Sequence, residues 1–297
     1  MIDGKRIRLS VPAKINWSLE VVGKRADGYH QLRSLMQTVS LYDQVELAIA
    51  DSDSCQCSPP VDCALVDNLA WRAWDLLRNT YSLDNHLSIN IVKDIPAGGG
   101  LGGGSADAAA VLLGVNKLFA LELSVAELAT LGFTLGADIP FFLYGGLAEI
   151  RGAGEDVLPC SQAQEYPLLI AIPPASLSTA MVFAAFDRLS PGAVVLDFSG
   201  LLKALQSGDI AMISAQMANM LEPAAMSLCP EIAVAKEILS SHGLFPLMSG
   251  SGSCVFALSD GDCERENAAL AALQKQGIAG RKAHSLTHGI VDETVIG

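Results

Sequence analysis

Two adjacent hydrophobic patterns define the centre of the chain. Residues 87–92 alternate between apolar and polar side chains, which predicts a half-buried β-strand. Residues 108–119 are apolar nearly all round a helical projection, which predicts a buried α-helix. The segment between them, residues 96–107, reads PAGGGLGGGSAD and holds six glycines in seven positions. A strand is therefore expected to lead through a glycine-rich loop into the N-terminus of a buried helix.

The glycine-rich loop has the composition of a phosphate-binding site. Glycine loses more backbone entropy on folding than any other residue, so a cluster indicates positive φ angles and close approach of the main chain to a ligand. Free N–H groups and the helix dipole make a helix N-terminus an anion site. A flexible hinge is the alternative, but linkers lack a flanking strand and helix. The residues predicted to surround the phosphates are Pro96, Ala97, Gly98, Gly99, Gly100, Leu101, Gly102, Gly103, Gly104, Ser105 and Ala106.

Two common nucleotide loops fit this segment poorly. Gly98, Gly100 and Gly103 satisfy the dinucleotide pattern GxGxxG, but residues 93–96 separate them from the predicted strand. A Rossmann oxidoreductase therefore stays open only as a weaker alternative. The spacing of Gly98 and Gly103 also matches the start of a Walker loop, but Gly104 stands where that loop needs lysine.

The N-terminal stretch predicts a strand that carries polar groups on one side. Over residues 8–22, Lys14 and Asn16 lie two positions apart and so share a face, while the intervening side chains are apolar. For a single lysine, a solvent-exposed surface position is the alternative. Asp27 and Gly28 then signal a turn, followed by Tyr29 and His30. Aromatic side chains usually pack in a core, but this pair could equally stack on a nucleobase and hydrogen-bond its edge.

Further patterns predict the elements around Asp138. Residues 124–127 form an S-x-x-E capping box, which predicts a helix that runs to about Leu135 and stops at Gly136. Asp138 follows on a rigid corner, because Pro140 pushes the preceding residue out of the helical region. From the residues alone, capping of the next helix is the favoured role for Asp138.

The C-terminal half shows fewer motifs. Residues 166–174 predict a strand, and a helix is expected to open at Pro230 and stop at Gly243. Residues 249–253 read SGSGS and form a second small-residue loop, which runs into a strand at 254–258. Taken alone, that loop would be a flexible turn.

Composition narrows the class of protein. With 297 residues the chain is long enough for about two domains, which we place at 1–160 and 161–297. Its uncharged apolar stretches, such as residues 139–148, fall short of the roughly 20 residues that a membrane span needs. Residues 1–6 are charged and unlike a signal peptide, so a soluble, cytoplasmic protein without a membrane partner is expected.

Cysteines and net charge exclude further classes. The seven cysteines fit reduced thiols better than a disulfide framework, and the cluster Cys55, Cys57 and Cys63 matches no common zinc spacing. We therefore interpret that cluster as structural or incidental. A formal net charge of −13 argues against nucleic acid, whose affinity depends on lysine and arginine. It leaves a nucleotide possible, because main-chain amides can bind its phosphates.

Five motifs in order resemble those of the diphosphocytidyl-methylerythritol kinase family, a branch of the GHMP kinases. They are PAKIN at 12–16, RADGYH at 25–30, the loop at 96–107, LGADIPFFL at 135–143 and MSGSGS at 248–253. The resemblance implies an α+β fold of two GHMP kinase domains, with the active site in the cleft between them. It implies ATP-dependent phosphorylation, with Mg²⁺, of the 2-hydroxyl of the cytidylylated methylerythritol intermediate in the non-mevalonate isoprenoid pathway.

The same resemblance assigns roles to individual residues. It carries the catalytic aspartate onto Asp138 and its partner lysine onto Lys14. Asn16, Tyr29 and His30 fall at substrate-binding positions. A carboxylate could accept the proton of the attacking hydroxyl, while the ammonium keeps it ionised and neutralises charge in the transition state. Ser105 is expected to touch a phosphate oxygen or the magnesium, and the metal ligands are not assigned.

The chain departs from the family at two positions. Ala106 stands where a second serine is usual, and Met220 replaces a common aspartate. Another GHMP kinase, of the homoserine or mevalonate type, is the nearest alternative, and the RADGYH stretch argues against it. A noncatalytic nucleotide-binding relative is the other, and the presence of both Lys14 and Asp138 argues against that. The chain is expected to be a monomer or homodimer.

Overall fold

The computed structural model describes residues 6–26, 28–161, 164–189 and 195–294. The predicted turn residue Asp27 lies outside this described part. The strands are β1 (Arg6–Lys24), β2 (His30–Ala50), β3 (Ser54–Ser58), β4 (His86–Val92), β5 (Leu147–Gly152), β6 (Asp156–Pro159), β7 (Pro167–Ile172), β8 (Ala218–Asn219), β9 (Phe245–Met248), β10 (Val255–Leu258), β11 (Ala279–His284) and β12 (Val291–Asp292). The helices are α1 (Leu69–Tyr81), α2 (Gly103–Leu118), α3 (Val125–Phe133), α4 (Ile139–Tyr144), α5 (Thr179–Leu189), α6 (Phe198–Ser207), α7 (Ile210–Gln216), α8 (Glu222–Leu228), α9 (Glu231–Ser241) and α10 (Cys263–Lys275).

The strands form two sheets. The larger sheet runs β12-β1-β2-β4-β3, with β5 and β6 extending from β2 and β8 pairing with β1. The smaller sheet is antiparallel and runs β11-β7-β10-β9. Because β8 and β12 come from the C-terminal half, that half contributes to the larger sheet as well. The division of the chain near residue 160 stays a prediction.

The elements are packed in layers around three apolar clusters. Helices α1, α2 and α4 cover one face of the larger sheet. The other face packs on the smaller sheet and on α6, and Trp17 makes edge contacts there with Tyr166 and Phe256 at ring-centroid distances of 5.7 and 5.4 Å. Helices α5, α8, α9 and α10 cover the far side of the smaller sheet. This arrangement confirms the α+β class.

Strand β1 changes its surroundings at Pro12. Up to Val11 its apolar side chains belong to the cluster under the helices, whereas Ala13, Ile15 and Trp17 belong to the cluster between the sheets. Leu19 belongs to the cluster on the far side of the smaller sheet. The pairing with β2 shifts register between Pro12 and Ala13, as expected for a residue that lacks an N–H donor. Lys14 is buried, so the surface position considered above for this lysine is wrong.

Most of the predicted elements are confirmed with changes at their ends. The strand expected at 87–92 is β4, and the strands expected at 166–174 and 254–258 are β7 and β10. The capping box of α3 forms as predicted, although that helix ends at Phe133. The main difference is α2, which begins at Gly103 rather than near Ala108. The last two glycines of the loop therefore form the first turn of the helix.

Across the described residues, no helix combines the length and apolarity that crossing a bilayer requires.

Candidate active site

Lys14 lies at the centre of the site, where four parts of the chain meet. Its side chain is only 4% exposed, and its Nζ donates a hydrogen bond of 2.8 Å to the Asn16 amide oxygen. Its backbone N–H donates to the Leu101 carbonyl at 3.0 Å, which ties β1 to the glycine-rich loop. A Cβ atom added to Gly250 would lie 2.8 Å from Nζ, so the second small-residue loop also approaches this ammonium group.

Asp138 is the carboxylate that faces Lys14. It lies at the N-terminus of α4, yet its side chain caps no N–H group of that helix. The capping role left open above is therefore wrong. One carboxylate oxygen is 3.6 Å from the Lys14 Nζ, and the Asp138 side chain is 40% exposed. The aspartate can thus reach a ligand in solution while it remains in the field of the lysine.

The two partners experience very different solvation. Burial lowers the pKa of Lys14, and the nearby Asp138 carboxylate offsets only part of that effect. The 3.6 Å separation is longer than an ordinary hydrogen bond, so the pair attracts mainly through charge. A buried ammonium group with an incompletely satisfied charge will interact strongly with further negative charge placed beside it.

Asn16 holds the lysine in place. Its amide oxygen accepts from Lys14, and its Nδ2 donates to the Ser34 hydroxyl at 2.8 Å. The Ser34 hydroxyl in turn donates to the Ser18 carbonyl at 2.6 Å. Both ends of the amide are therefore engaged inside the protein, and contact with a substrate stays a prediction for this residue.

The glycine-rich loop has the geometry that anion binding requires. Positive φ angles alternate along it at Gly98, Gly100 and Gly102, with values of 66°, 77° and 77°. Alternation of this kind turns successive N–H groups toward one concave side. The carbonyls of Gly98, Gly99 and Gly100 point elsewhere, because they accept from Leu177 N, Cys254 N and the Ser249 hydroxyl at 3.3, 3.0 and 3.0 Å. The C-terminal half therefore fixes the loop by its carbonyls and leaves amides available.

The individual glycines differ in the space that is available for an added Cβ atom. A Cβ atom on Gly102 would lie 2.7 Å from the Phe142 ring and 3.1 Å from the Lys14 side chain. On Gly103 it would meet Ile95 at 2.9 Å. A Cβ atom on Gly104 would have room, since the nearest neighbouring atom, a Leu69 methyl carbon, would be 3.8 Å away. A substitution at Gly103 would therefore disrupt packing whether or not a phosphate binds here.

Ser105 and Ala106 lie in the first turn of α2. A Cβ atom on Gly136 would be 3.8 Å from the Ser105 hydroxyl, so this hydroxyl is near the corner that carries Asp138. The first turn of a helix has N–H groups without intrahelical acceptors, and these are the natural ligands of an anion. The Ala106 side chain is fully buried. The presence of alanine here, in place of the serine that is usual in the family, therefore removes no hydroxyl group from the protein surface.

The predicted base-binding residues lie at the tip of the β1–β2 hairpin. Tyr29 is 65% exposed, whereas the His30 side chain is only 10% exposed. The His30 ring stacks on Phe183 of α5 with centroids 4.5 Å apart, and its Nε2 is 2.7 Å from a carboxylate oxygen of Asp187. The hairpin tip is thus attached to the C-terminal half, and the role of Tyr29 and His30 in substrate binding stays a prediction.

A second buried charge cluster lies under the glycine-rich loop, and sequence reasoning missed it. Lys93 contacts carboxylate oxygens of both Asp43 and Asp107, the latter at 2.5 Å. The other oxygen of Asp43 accepts from Asp94 N and Ile95 N at 2.6 and 2.9 Å. Burial, reinforced by Asp43 and opposed by Lys93, raises the pKa of Asp107 to about 7. A charged residue directly after a predicted strand was the only available signal.

Asn219 and Glu222 position the second small-residue loop. Asn219 is buried, and its Nδ2 donates to the carbonyls of Met248 and Gly250 at 2.9 and 2.8 Å. Glu222 accepts from Met248 N at 2.9 Å. Met220, which replaces the usual aspartate, accepts through its sulfur from Val21 N at 3.3 Å. These residues support the loop that approaches Lys14.

The cysteine cluster offers no metal centre. Within the described ranges, no group of three or more histidine, cysteine or acidic side chains is arranged to hold a metal ion. Cys57 accepts a long contact of 3.8 Å from the amide of Asn68, which caps α1. The interpretation of these thiols as structural or incidental stays a prediction.

Comparison with known proteins defines the class first. The description "GHMP kinases N terminal domain" matches residues 68–146, and "GHMP kinases C terminal" matches residues 201–279. Together with the glycine-rich loop and the lysine–aspartate pair, these matches show a small-molecule kinase of the GHMP class. ATP is the phosphate donor that this class implies.

Relatives with higher sequence identity identify the family within this class. A 4-diphosphocytidyl-2-C-methyl-D-erythritol kinase of Caldicellulosiruptor saccharolyticus is 40% identical over 253 residues, which cover 84% of this chain and 87% of the relative. One of Geobacillus kaustophilus is 39% identical over 266 residues, which cover 86% and 89%. A crystal structure of 4-(cytidine 5'-diphospho)-2C-methyl-D-erythritol kinase superimposes with a TM-score of 0.78 at 34% identity, covering 94% of this chain and 98% of the other. The chain belongs to the family of 4-diphosphocytidyl-2-C-methyl-D-erythritol kinases.

More distant structures share the fold alone. A homoserine kinase from Cytophaga hutchinsonii superimposes with a TM-score of 0.74 at 21% identity, covering 98% of both chains. The homoserine and mevalonate types considered above are therefore relatives in architecture, and the closer sequence matches favour the diphosphocytidyl family over them.

Proposed function

We propose that this kinase transfers the γ-phosphoryl group of ATP to the 2-hydroxyl of 4-diphosphocytidyl-2-C-methyl-D-erythritol, a step of the non-mevalonate isoprenoid pathway. The observation that carries the chemistry is the contact between buried Lys14 and half-exposed Asp138 beside the glycine-rich loop. The substrate is taken from the family to which the chain belongs.

Asp138 and Lys14 have different roles in the phosphoryl transfer. Asp138 accepts the proton of the attacking hydroxyl, because its carboxylate is the exposed member of the pair. Lys14 orients that carboxylate through charge attraction, and its ammonium neutralises charge that develops on the transferring group. Phosphoryl transfer proceeds through a loose transition state, so positioning and charge neutralisation account for most of the rate enhancement.

The nucleotide phosphates bind along residues 96–106. Their ligands are the amides on the concave side of the loop and in the first turn of α2, together with the Ser105 hydroxyl. Mg²⁺ usually keeps several waters and takes substrate phosphates with one or two protein oxygens, so the Ser105 hydroxyl would be the protein oxygen beside the phosphates that could accompany it. When bound, the ion neutralises phosphate charge in the transition state.

The cytidine of the acceptor binds at the hairpin tip. Tyr29 supplies an exposed ring on which the base can stack, and His30 supplies hydrogen bonds to its edge. Asn16 faces the acceptor near Lys14. Ser34, the partner of Asn16, lies four positions after His30, and at the rise of a strand this separation is about 13 Å, the length scale of an extended nucleoside diphosphate.

We further propose that the enzyme acts in the cytoplasm, as a monomer or homodimer, without nucleic acid or membrane partners. The acidic net charge of −13 supports the absence of nucleic acid.

The decisive experiment incubates the full chain with ATP, Mg²⁺ and a panel of acceptor alcohols. The panel contains the diphosphocytidyl acceptor, homoserine, mevalonate and plain methylerythritol phosphate. We expect phosphorylation of the first alone, with the phosphate on the 2-hydroxyl by NMR. Turnover of homoserine or mevalonate would overturn the substrate assignment, and ATP binding without turnover of any acceptor would favour a noncatalytic relative.

The Tyr29→Ala variant tests base recognition. Stacking of a base on an aromatic ring contributes roughly 1 to 3 kcal/mol, so KM for the acceptor should rise by about one to two decades, with a smaller change in KM for ATP. Thermal melting must accompany the kinetics. A large loss of stability would mean that Tyr29 is a packing residue and that the assignment of its ring to base stacking is wrong.

A further inference from the structure

The hairpin tip and α5 meet at a single carboxylate. One oxygen of Asp187 is 2.7 Å from the His30 Nε2, and the other oxygen is 2.6 Å from the Lys24 Nζ. The carboxylate thus holds an imidazole on one side and an ammonium group on the other. Contacts with Lys24 and then with His30 lower the pKa of Asp187, as expected for a carboxylate that accepts from both.

The His30 ring is fixed in this position. Phe183 stacks on it with an interplanar angle of 17°, and Phe186 contacts it edge-on with centroids 6.3 Å apart. The other ring nitrogen, Nδ1, has no hydrogen-bond partner in the part of the chain that the structure describes, and the His30 side chain is 10% exposed. Nδ1 is therefore the polar atom of this ring that a ligand can reach.

The carboxylate determines which nitrogen of the neutral imidazole carries the proton. A carboxylate only accepts hydrogen bonds, so the Nε2 that faces Asp187 must be the N–H donor. The neutral ring has one donor and one acceptor, which leaves Nδ1 as an acceptor. At its exposed edge, His30 can then accept a hydrogen bond but cannot donate one.

We propose that Asp187 is a positioning residue that makes the acceptor site selective for cytosine over uracil. Cytosine carries an amino group at the ring position where uracil carries a carbonyl oxygen, a donor in place of an acceptor. An Nδ1 acceptor pairs with the amino group of cytosine and leaves the uracil oxygen facing a lone pair. The inference rests on the proposed function, since it assumes that the base of the acceptor binds at His30.

Because Lys24 also contacts Asp187, the isosteric substitution Asp187→Asn is enough to test this proposal. Lysine has donors only, so in the Asp187→Asn variant its ammonium claims the one remaining oxygen. The new amide nitrogen then faces the His30 Nε2 and donates to it, which moves the ring proton to Nδ1. The exposed edge becomes a donor and favours uracil. If Lys24 is also replaced by methionine, the amide can turn its oxygen back to His30 and restore the original tautomer.

The experiment measures kcat/KM for the diphosphocytidyl acceptor and for its diphosphouridyl counterpart. Four proteins are compared with the unmodified enzyme: Asp187→Asn, Lys24→Met, the double variant, and Asp260→Asn as a matched control. Asp260 forms a 3.1 Å ion pair with Arg265 and has a similarly exposed side chain. We expect Asp187→Asn to lower the cytidine-to-uridine ratio by about tenfold to a hundredfold, the effect of one reversed hydrogen bond. The other three proteins should keep the ratio within about threefold, on the usual spread of neutral surface changes.

Three outcomes would contradict the proposal, and a fourth concerns the function itself. An Asp187→Asn enzyme that turns over the acceptor with an unchanged ratio would overturn the proposal, as would a double variant that shows no recovery. Failure of the unmodified enzyme to phosphorylate the cytidine acceptor would instead refute the proposed function. Nitrogen chemical shifts of His30 provide a readout without substrate. They should show the Nε2–H tautomer in the unmodified protein, and an Nδ1–H tautomer there would overturn the proposal even if every variant failed to fold.

Discussion

Lys14 and Lys93 are both withdrawn from solvent, with side chains 4% and 9% exposed, yet their surroundings differ. Lys93 contacts two carboxylates, which outweigh the effect of burial and raise its pKa. Lys14 has one carboxylate at 3.6 Å, and burial lowers its pKa. Lys93 thus has its charge matched within the fold, whereas Lys14 does not.

The difference distinguishes a structural lysine, Lys93, from Lys14, the lysine that we propose to be catalytic. Lys93 ties β2, the segment before the glycine-rich loop and the first turns of α2 through Asp43 and Asp107. All of its partners are buried, so it has nothing to offer a ligand. Lys14 keeps unsatisfied charge beside Asp138, which is open to solvent. A buried cation beside an exposed carboxylate is the arrangement that a transferring phosphoryl group can complete.

The largest expected effect comes from Asp138→Asn. If this carboxylate accepts the hydroxyl proton, kcat should fall by about two to four orders of magnitude, the usual contribution of a general base. ATP affinity measured by calorimetry should be largely kept. Asp75→Asn, an exposed aspartate on α1, is the matched control. Near-normal turnover of Asp138→Asn would remove the distinction between the two lysines.

The stabilities of Lys93→Met and Lys14→Met test whether the charge of Lys93 is matched within the fold and that of Lys14 is not. Loss of one partner from a buried ion cluster leaves uncompensated charge, so Lys93→Met should lower the free energy of unfolding by about 3 to 5 kcal/mol. Lys14→Met removes a buried charge whose partner is exposed, and it should change stability by less than about 1 kcal/mol while activity is lost. Urea denaturation of both variants checks this. Equal losses of stability would contradict the contrast.

Local patterns in the sequence predicted the glycine-rich loop and its flanking elements. The exception is the start of α2, because glycine has low intrinsic helix propensity and the pattern placed the helix after the glycines. In the structure, Gly103 packs directly against Ile95, and this tertiary contact outweighs the propensity. Regular alternation likewise predicted the shared face of Lys14 and Asn16 but could not reveal that a second layer buries it.

Contacts between distant parts of the chain were beyond the reach of the sequence. Lys93 meets carboxylates 50 positions before it and 14 positions after it, and His30 meets Asp187 across 157 positions. No spacing rule connects such residues, because the sheet topology brings them together. The predicted site residues come from motifs, while the residues that contact and orient them required the structure.

The Asp107→Asn variant tests how Asp107 titrates within the buried cluster that it forms with Lys93 and Asp43. The folded state raises the pKa of Asp107 from 3.8 to about 7, so its contribution to stability is full below about pH 4 and is lost as the pH rises to about 7. Asparagine lacks this titration. As the pH rises from about 5 to 8, the free energy of unfolding of the variant should therefore increase relative to that of the unmodified protein by about 1 to 3 kcal/mol. Urea midpoints across that range test it, and parallel curves would show that Asp107 is ionised throughout.

The smallest expected effect concerns the support of Lys14 and comes from Ser34→Ala. The substitution removes the acceptor of the Asn16 Nδ2 and the donor to the Ser18 carbonyl. Each bond contributes about 0.5 to 1.5 kcal/mol, so stability should fall by about 1 to 2 kcal/mol. Asn16 keeps its contact with Lys14, and that contact continues to orient the ammonium toward Asp138. kcat should therefore fall by less than about tenfold, since no group that touches the reacting atoms is lost. A decrease as large as that of Asp138→Asn would mean that Lys14 depends on Ser34 for its position. Lys14 would then be held as tightly by its surroundings as Lys93 is.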